Sequence, residues 1–373
     1  TRQNAATGPR TDNPHFTGQK SIINQNDNIM TMNMRLFFLA AAATLMAACT
    51  QENEVQNNPV EARVRAGVSG PQTRAVDNAW NADHIGVMAL DATTTMGQKY
   101  KNVEYQTAST GTAADFTPAT SASGIFFEDA SHEFTFAAYA PFASSANAST
   151  LPGNDGKIMV NTENQHTVAK QEAIDYIYAT GARGSKGNPV ISFTDNTAAG
   201  GSNCSFRHKM ARLVLKVQVS DADGFTDPGV LRFANYKLGG LIHEGVFDVL
   251  TGTATATGTA MNDWMLIEST YPTPTTQTVT YKCVTDYNVS TGMMTLTMIL
   301  LPQTLTDFLS LAITPDDGEN QTYSSKDLIK PALEAGYSYT YTITVKKTGL
   351  TVSGSTIEPW GNGGSASGDA KMQ

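Results

Sequence analysis

Between Tyr337 and Val345 the chain alternates without a break. Tyr337, Tyr339, Tyr341, Ile343 and Val345 fall on one parity, and Ser338, Thr340, Thr342 and Thr344 on the other. An extended strand sends successive side chains to opposite faces, so such a run buries one face and shows the other to water. The same period recurs. Val60, Ala62, Val64, Ala66 and Val68 alternate with Glu61, Arg63, Arg65 and Gly67. Phe134, Phe136 and Ala138 alternate with Glu133, Thr135 and Ala137, while Leu213, Leu215, Val217 and Val219 face away from Arg212, Lys216 and Gln218. Turn chemistry separates the runs at Pro152 to Gly156, Asp223-Gly224 and Asp316-Asp317-Gly318. With no helical period interleaved, the pattern predicts an all-β protein of packed sandwiches and few helices.

The length of 373 residues exceeds what one sandwich needs, so two domains are expected. The polar, small-residue stretch Thr194 to Asn203 marks the boundary, giving an N-terminal sandwich over 60–203 and a C-terminal one over 204–348. The segment Cys204 to Val219 reads either as the last strand of the first or as the first strand of the second. The expected cores contain Phe134, Phe136, Leu213 and Leu215 in one, and Leu296, Met298, Tyr339 and Ile343 in the other.

Arg35 precedes the apolar run Leu36 to Ala48, which ends Leu45-Met46-Ala47-Ala48-Cys49. A basic residue, a short apolar segment and small residues before a cysteine make a lipoprotein signal peptide, here 34–48, with Cys49 the site of acylation. The thirteen apolar-run residues would cover about 20 Å as a helix, short of the ~30 Å hydrocarbon core. A plain secretory signal with an incidental cysteine is the alternative. Residues 1–33, polar and without periodicity, read as a disordered upstream segment, and 49–59 as a flexible tether.

The formal net charge is −9, and none of the 25 basic residues cluster into a stripe, which argues against nucleic acid as a partner. Beyond Cys49, Cys204 and Cys283 are too few for a disulfide framework and wrongly spaced for zinc, and a bridge between them stays open. The six histidines are dispersed. Asp83-His84 lacks a nucleophile elbow and reads as a loop; Asp316-Asp317-Gly318 lacks the further ligands of a calcium loop and reads as a hairpin turn. Trp80, Trp264 and Trp360 could stack on sugars but read as core or interface anchors. No catalytic, cofactor-binding or metal-ligating set is expected, so the chain reads as a structural protein and not an enzyme.

Several strings in order carry a family resemblance: Ala66-Gly67-Val68-Ser69, Thr73-Arg74-Ala75 with Trp80, and Asp83 to Val87; then Phe136 to Pro141, Asp175 to Ala179, Phe206 to Leu213, Leu300 to Gln303 and the closing Tyr339 to Trp360. With the lipoprotein signal, they make the chain similar to the fimbrillin-like proteins, the type V pilins and related surface lipoproteins of anaerobic Gram-negative bacteria. The resemblance implies two tandem transthyretin-like Greek-key β-sandwich domains, an outer-membrane lipid anchor, and polymerisation with other pilin subunits into a surface pilus serving adhesion.

The residues give that implication a physical form. Val60, Ala62, Val64, Ala66 and Val68 form a strand followed by the loop Gly70 to Ala75, so a cut after Arg74 would release the strand with its lipid. A groove with unpaired backbone favours strand addition from another chain. In similar pilins an arginine-specific protease makes this cut and the C-terminal segment of the next subunit fills the groove. Here the candidate donor and tail span 349–373, with Leu350, Val352, Ile357 and Trp360 as the side chains to be seated. Arg74 could instead be an ordinary loop arginine. The competing functional class is a non-polymerising surface lipoprotein that binds glycans or host ligands.

Overall fold

The structure, a computed structural model, describes residues 58–68, 80, 83–197, 200–273 and 275–360. Within them nearly every regular element is a strand, and the two α-helices, Thr95–Lys99 and Val168–Glu172, are single turns capped by Thr94 and Thr167. The expectation of an all-β chain is met.

The first half forms one eight-stranded sheet. In spatial order its strands are Val190–Phe193, Arg63–Gly67, Ala113–Pro118, Val103–Gln106, His84–Ala89, Glu133–Ala140, Ile177–Ser185 and Arg207–His208. All neighbours are antiparallel except Val190–Phe193 with Arg63–Gly67, which run parallel. The sheet surrounds a core that includes Trp80, Ile85, Val87, Phe116, Phe127, Phe136, Phe193 and Phe206.

The second half holds two five-stranded sheets. One runs Val284–Asn288, Met293–Leu300, Ala211–Gln218, Tyr337–Lys346, Gly349–Pro359; the other Thr276–Tyr281, Trp264–Thr273, Asn235–Gly239, Leu309–Thr314, Tyr323–Ile329. Leu213, Leu215, Leu296, Met298, Tyr339 and Ile343 all lie in the core shared by these strands. This corrects the expectation that Leu213 and Leu215 pack with Phe134 and Phe136. Alternation fixed their inward face, but their partners come from pairing: Leu213 lies opposite Met298 and Tyr339, and Leu215 opposite Leu296 and Tyr341.

Residues 194–203 fold back as a loop within the first half, with Asp195 bridged to Asn203 and the Cys204 amide bonded to the Thr194 carbonyl. Cys204 and Phe206 then join the first core. Cys283 is buried in the second core, so the two thiols sit in different cores and both are free.

A third cluster lies where the halves meet, made by Met88, Ala137, Tyr139, Tyr176, Tyr178, Met210, Phe247, Ile299, Leu301 and Trp360 among others. It explains why Ala137 and Tyr139 are fully buried although they share a parity with exposed Glu133: the strand is covered on both faces near its end. The junction is also stitched by backbone. Lys157–Asn161 pairs antiparallel with Glu244–Asp248, which pairs in turn with Thr253–Ala256. Beside it the buried Gln165 amide donates to the carbonyls of Thr162 (2.6 Å) and Ile299 (2.8 Å) and accepts from the Ile299 N–H (2.7 Å). Gln171 donates to Gln165 and to the Thr297 carbonyl, so two side-chain amides act as an extra strand against Met293–Leu300.

Candidate functional site

The residues expected to form a displaceable strand divide by burial. Ala62, Val64 and Ala66 are buried in the first core, whereas Val60 and Val68 are only half-buried and Arg63 and Arg65 point outward. The strand Arg63–Gly67 is interior to its sheet. On one side Val64, Arg65, Ala66 and Gly67 lie opposite Phe116, Asp115, Ala114 and Ala113; on the other, Arg63 to Ala66 run alongside Val190 to Phe193. Upstream, Val60–Glu61 makes a short separate ladder with Phe126–Phe127. Removing this segment would therefore open two hydrogen-bonding edges at once and uncover the core beneath. A cleft of about 520 Å³ lined by Arg63, Arg65, Asp115, Thr117 and Val190 brings solvent against its outer face.

Trp80 holds the strand from within. It is fully buried, its indole N–H donates to the Ala66 carbonyl at 3.0 Å, and its ring meets Phe116 and Phe206 edge-on at 4.9 and 5.2 Å. Replacing it removes a large aromatic and leaves that carbonyl without its donor. Trp80→Ala is expected to cost about 3–5 kcal/mol of unfolding free energy in urea titrations. A loss below about 1 kcal/mol would remove Trp80 as the strand's anchor.

The candidate donor segment lies in a different sheet from Arg63–Gly67. Gly349–Pro359 pairs antiparallel with Tyr337–Lys346 over its whole length, from Gly349 opposite Lys346 to Pro359 opposite Tyr337. Leu350 is buried, and Val352 and Ile357 are half-buried against the second core. These side chains differ in parity, and the structure shows why both point inward. The register shifts opposite Thr342 and Ile343, so inward positions are even before this bulge and odd after it.

Trp360 ends the segment in a slot that the sequence did not disclose. Its ring stacks on His208 with centroids 4.0 Å apart and planes 5° from parallel, and the Arg212 guanidinium lies 6.0 Å from the ring centre. His208 Nδ1 is 2.9 Å from Asp175 Oδ1, both side chains essentially out of solvent. Burial holds the Arg212 guanidinium below its ordinary pKa, opposed by the charges of Asp175 and Glu358. No pattern of spacing links positions this far apart, so only the fold could bring them together.

Cys49 and Arg74 lie outside the described residues, as do 1–33, the signal segment, most of the tether and the tail beyond Trp360. All three tryptophans are buried. His84 bonds to Glu104 at 2.7 Å, and among the described residues no group of three His, Cys, Asp or Glu side chains is placed to hold a metal. The Asp316-Asp317-Gly318 turn directs Asp317 to the Lys347 ammonium at 3.0 Å.

Comparisons with known proteins agree with this architecture. A Bacteroides uniformis protein named as a candidate fimbrium subunit, Fim1C, is 28% identical over 340 residues, covering 88% of this chain and 96% of that protein. The crystal structure of a Bacteroides ovatus protein described as a candidate cell adhesion protein superposes with a TM-score of 0.60 at 26% identity, over 81% of this chain and 98% of the other. A Bacteroides uniformis structure described in the same words has the same fold, with a TM-score of 0.58 at 22% identity over 82% of this chain and 100% of the other. The fimbrillin-like family model matches residues 73–360, ending on the stacked Trp360, and the chain belongs to the fimbrillin-like family.

Proposed function

We propose that the chain is a structural subunit of a surface pilus serving adhesion, exported to the outer membrane as a lipoprotein through Cys49. An arginine-specific protease cuts after Arg74, the strand from Val60 to Val68 leaves, and the groove takes the C-terminal segment of another subunit. The observation that carries this reading is the position of Arg63–Gly67. It is paired on both sides and, with Ala62 just before it, buries Val64 and Ala66, yet its covalent link to the strands that follow runs through the segment containing Arg74. One peptide-bond cleavage there converts an interior strand into a separate, replaceable ligand.

The side chains favour replacement. Alanine and valine fill less of a core than leucine or isoleucine, so a donor bringing Leu350 and Ile357 has more apolar area to bury, at roughly 25 cal/mol per Å². The test is digestion of the full chain with an arginine-specific protease, followed by mass spectrometry and denaturing gels. A new N-terminus at Ala75 together with a ladder of oligomers is expected. Deleting Gly349 to Gln373 should leave a subunit that caps a chain and cannot extend it, so ladders in mixtures shorten as its share rises. Unchanged ladders with the deleted form would exclude this segment as donor.

The alternative, a non-polymerising surface lipoprotein that binds glycans or host ligands, is favoured by one feature. The C-terminal strand is paired along its length with Tyr337–Lys346 and Trp360 is buried, as a closed monomer requires. A correct cut that yields no ladder would select that reading.

A further inference from the structure

We infer that Trp360 is a latch that keeps the C-terminal arm shut in the uncut subunit, seated in a slot built jointly by the two halves of the molecule. The inference rests on the arm being the donor described above.

Along its length the arm is held by one backbone ladder, by hydroxyl bonds from Thr351 and Ser353 to that ladder, and by contact with Tyr323–Ile329 on one side only. Gly349–Pro359 is an edge strand whose sheet partner is Tyr337–Lys346, and of its own side chains only Leu350 is buried. Half-exposed side chains and a single ladder leave little to resist peeling once an end is free. The ends are where it is fastened.

At the near end the turn is pinned by charge. Lys346 reaches Asp223 at 3.0 Å, Lys347 reaches Asp317 at 3.0 Å and Glu319 at 2.6 Å, and the Lys347 ammonium stands 4.7 Å from the Phe225 ring centre. The carboxylates of Glu319 and Asp317 raise the Lys347 pKa above its ordinary value. Directly after this anchor Gly349 has φ +139°, in open space, a conformation that side-chain-bearing residues rarely adopt. The arm therefore has a fixed root and a pivot beside it.

At the far end, among the described residues, the arm closes through Trp360. Its ring covers His208, and its backbone N–H bonds to the Gly336 carbonyl. Asp175 precedes the strand Ile177–Ser185 of the first sheet, His208 ends that sheet, and Arg212 belongs to the second half. The seat exists only while the two halves are apposed. Asp175 Oδ2, His208 Nε2 and Arg212 Nε are buried without a hydrogen-bond partner among the described residues. Opening the latch exposes apolar ring surface but hydrates these polar atoms, and the second effect offsets part of the first. Such a closure holds at rest and yields to a competing strand, unlike one set in a purely apolar core.

The test is hydrogen exchange with mass spectrometry on the uncut full chain, comparing wild type with Trp360→Ala and Trp360→Phe. Trp360→Ala should speed exchange in peptides from 338–359 by about 30-fold or more, while peptides from 133–185 stay within about 3-fold of wild type. Trp360→Phe should fall between. Exchange of 338–359 within about 3-fold of wild type in Trp360→Ala overturns the latch. If Trp360→Ala loosens the first sheet as well, Trp360→Phe decides: a rise confined to 338–359 supports the latch, and no local rise overturns it. The wild-type ladder after cleavage is scored separately, so failure to polymerise counts against the pilin reading and leaves the exchange result to judge the latch.

Discussion

Arg74→Ala abolishes assembly in the expected outcome: a folded monomer that yields no oligomer ladder under a protease treatment that polymerises wild type. While the chain is intact, the strand from Val60 to Val68 competes for its groove as part of the same molecule. A short tether holds it at an effective concentration of about 1 mM. A donor from a neighbour at about 1 μM is disfavoured by a factor of roughly a thousand, about 4 kcal/mol, before any difference in fit. Cleavage removes that advantage and lets the released strand dilute away.

The rival basic residues do not offer the same outcome. Arg63 and Arg65 are exposed at the side chain, but their backbone is paired on both sides, and a protease needs an accessible, extended segment. Thermal unfolding of Arg74→Ala should match the uncut wild type, which separates lost cleavage from lost folding. Normal ladders from Arg74→Ala would place the activating cut elsewhere or assign the chain to the non-polymerising class.

The second large effect is expected at Cys49. Cys49→Ser should move nearly all of the protein from the membrane fraction to the soluble one. Each buried methylene of an acyl chain contributes about 0.8 kcal/mol, and one chain alone binds only marginally, so stable anchoring needs the several chains that a lipidated cysteine carries. Leu36 to Ala48 would not substitute, being too short at about 20 Å to span the bilayer. Fractionation of cells expressing the variant measures this directly, and retention of Cys49→Ser on membranes would refute lipid anchoring at this residue.

Much of the fold was legible because a strand's period is a local property. Tyr337–Lys346 and Ala211–Gln218 stand in the structure where their alternation placed them, with Tyr339, Ile343, Leu213 and Leu215 inward. What alternation cannot carry is partnership. Leu213 and Leu215 were expected with Phe136, yet they pack with the second core because Arg212–Gln218 runs parallel to Ser338–Thr344, a pairing of segments far apart in sequence. The bulge opposite Thr342 and Ile343, which reverses parity, is marked in the sequence only by Ser353-Gly354, a pair that reads as a turn as readily as a bulge. At the candidate site, Ala62, Val64 and Ala66 were readable as one buried face. The slot of Asp175, His208 and Arg212 was not, because each of those residues looks like ordinary strand or loop polarity until the halves meet.

The stitched junction determines how force would pass through the molecule. A pull applied at the first strand and at the C-terminal arm is shared between the covalent link from His208 to Ala211 and the ladder of Lys157–Asn161 with Glu244–Asp248, which stands beside the Gln165 and Gln171 amides fastened to Ile299 and Thr297. Several bonds there carry load together, and buried Phe247 and Tyr176, stacked at 4.4 Å, resist sliding. The arm's hairpin with Tyr337–Lys346 opens differently, one pair at a time from its free end. Under tension on a single subunit the junction is the stiff member and the arm the compliant one.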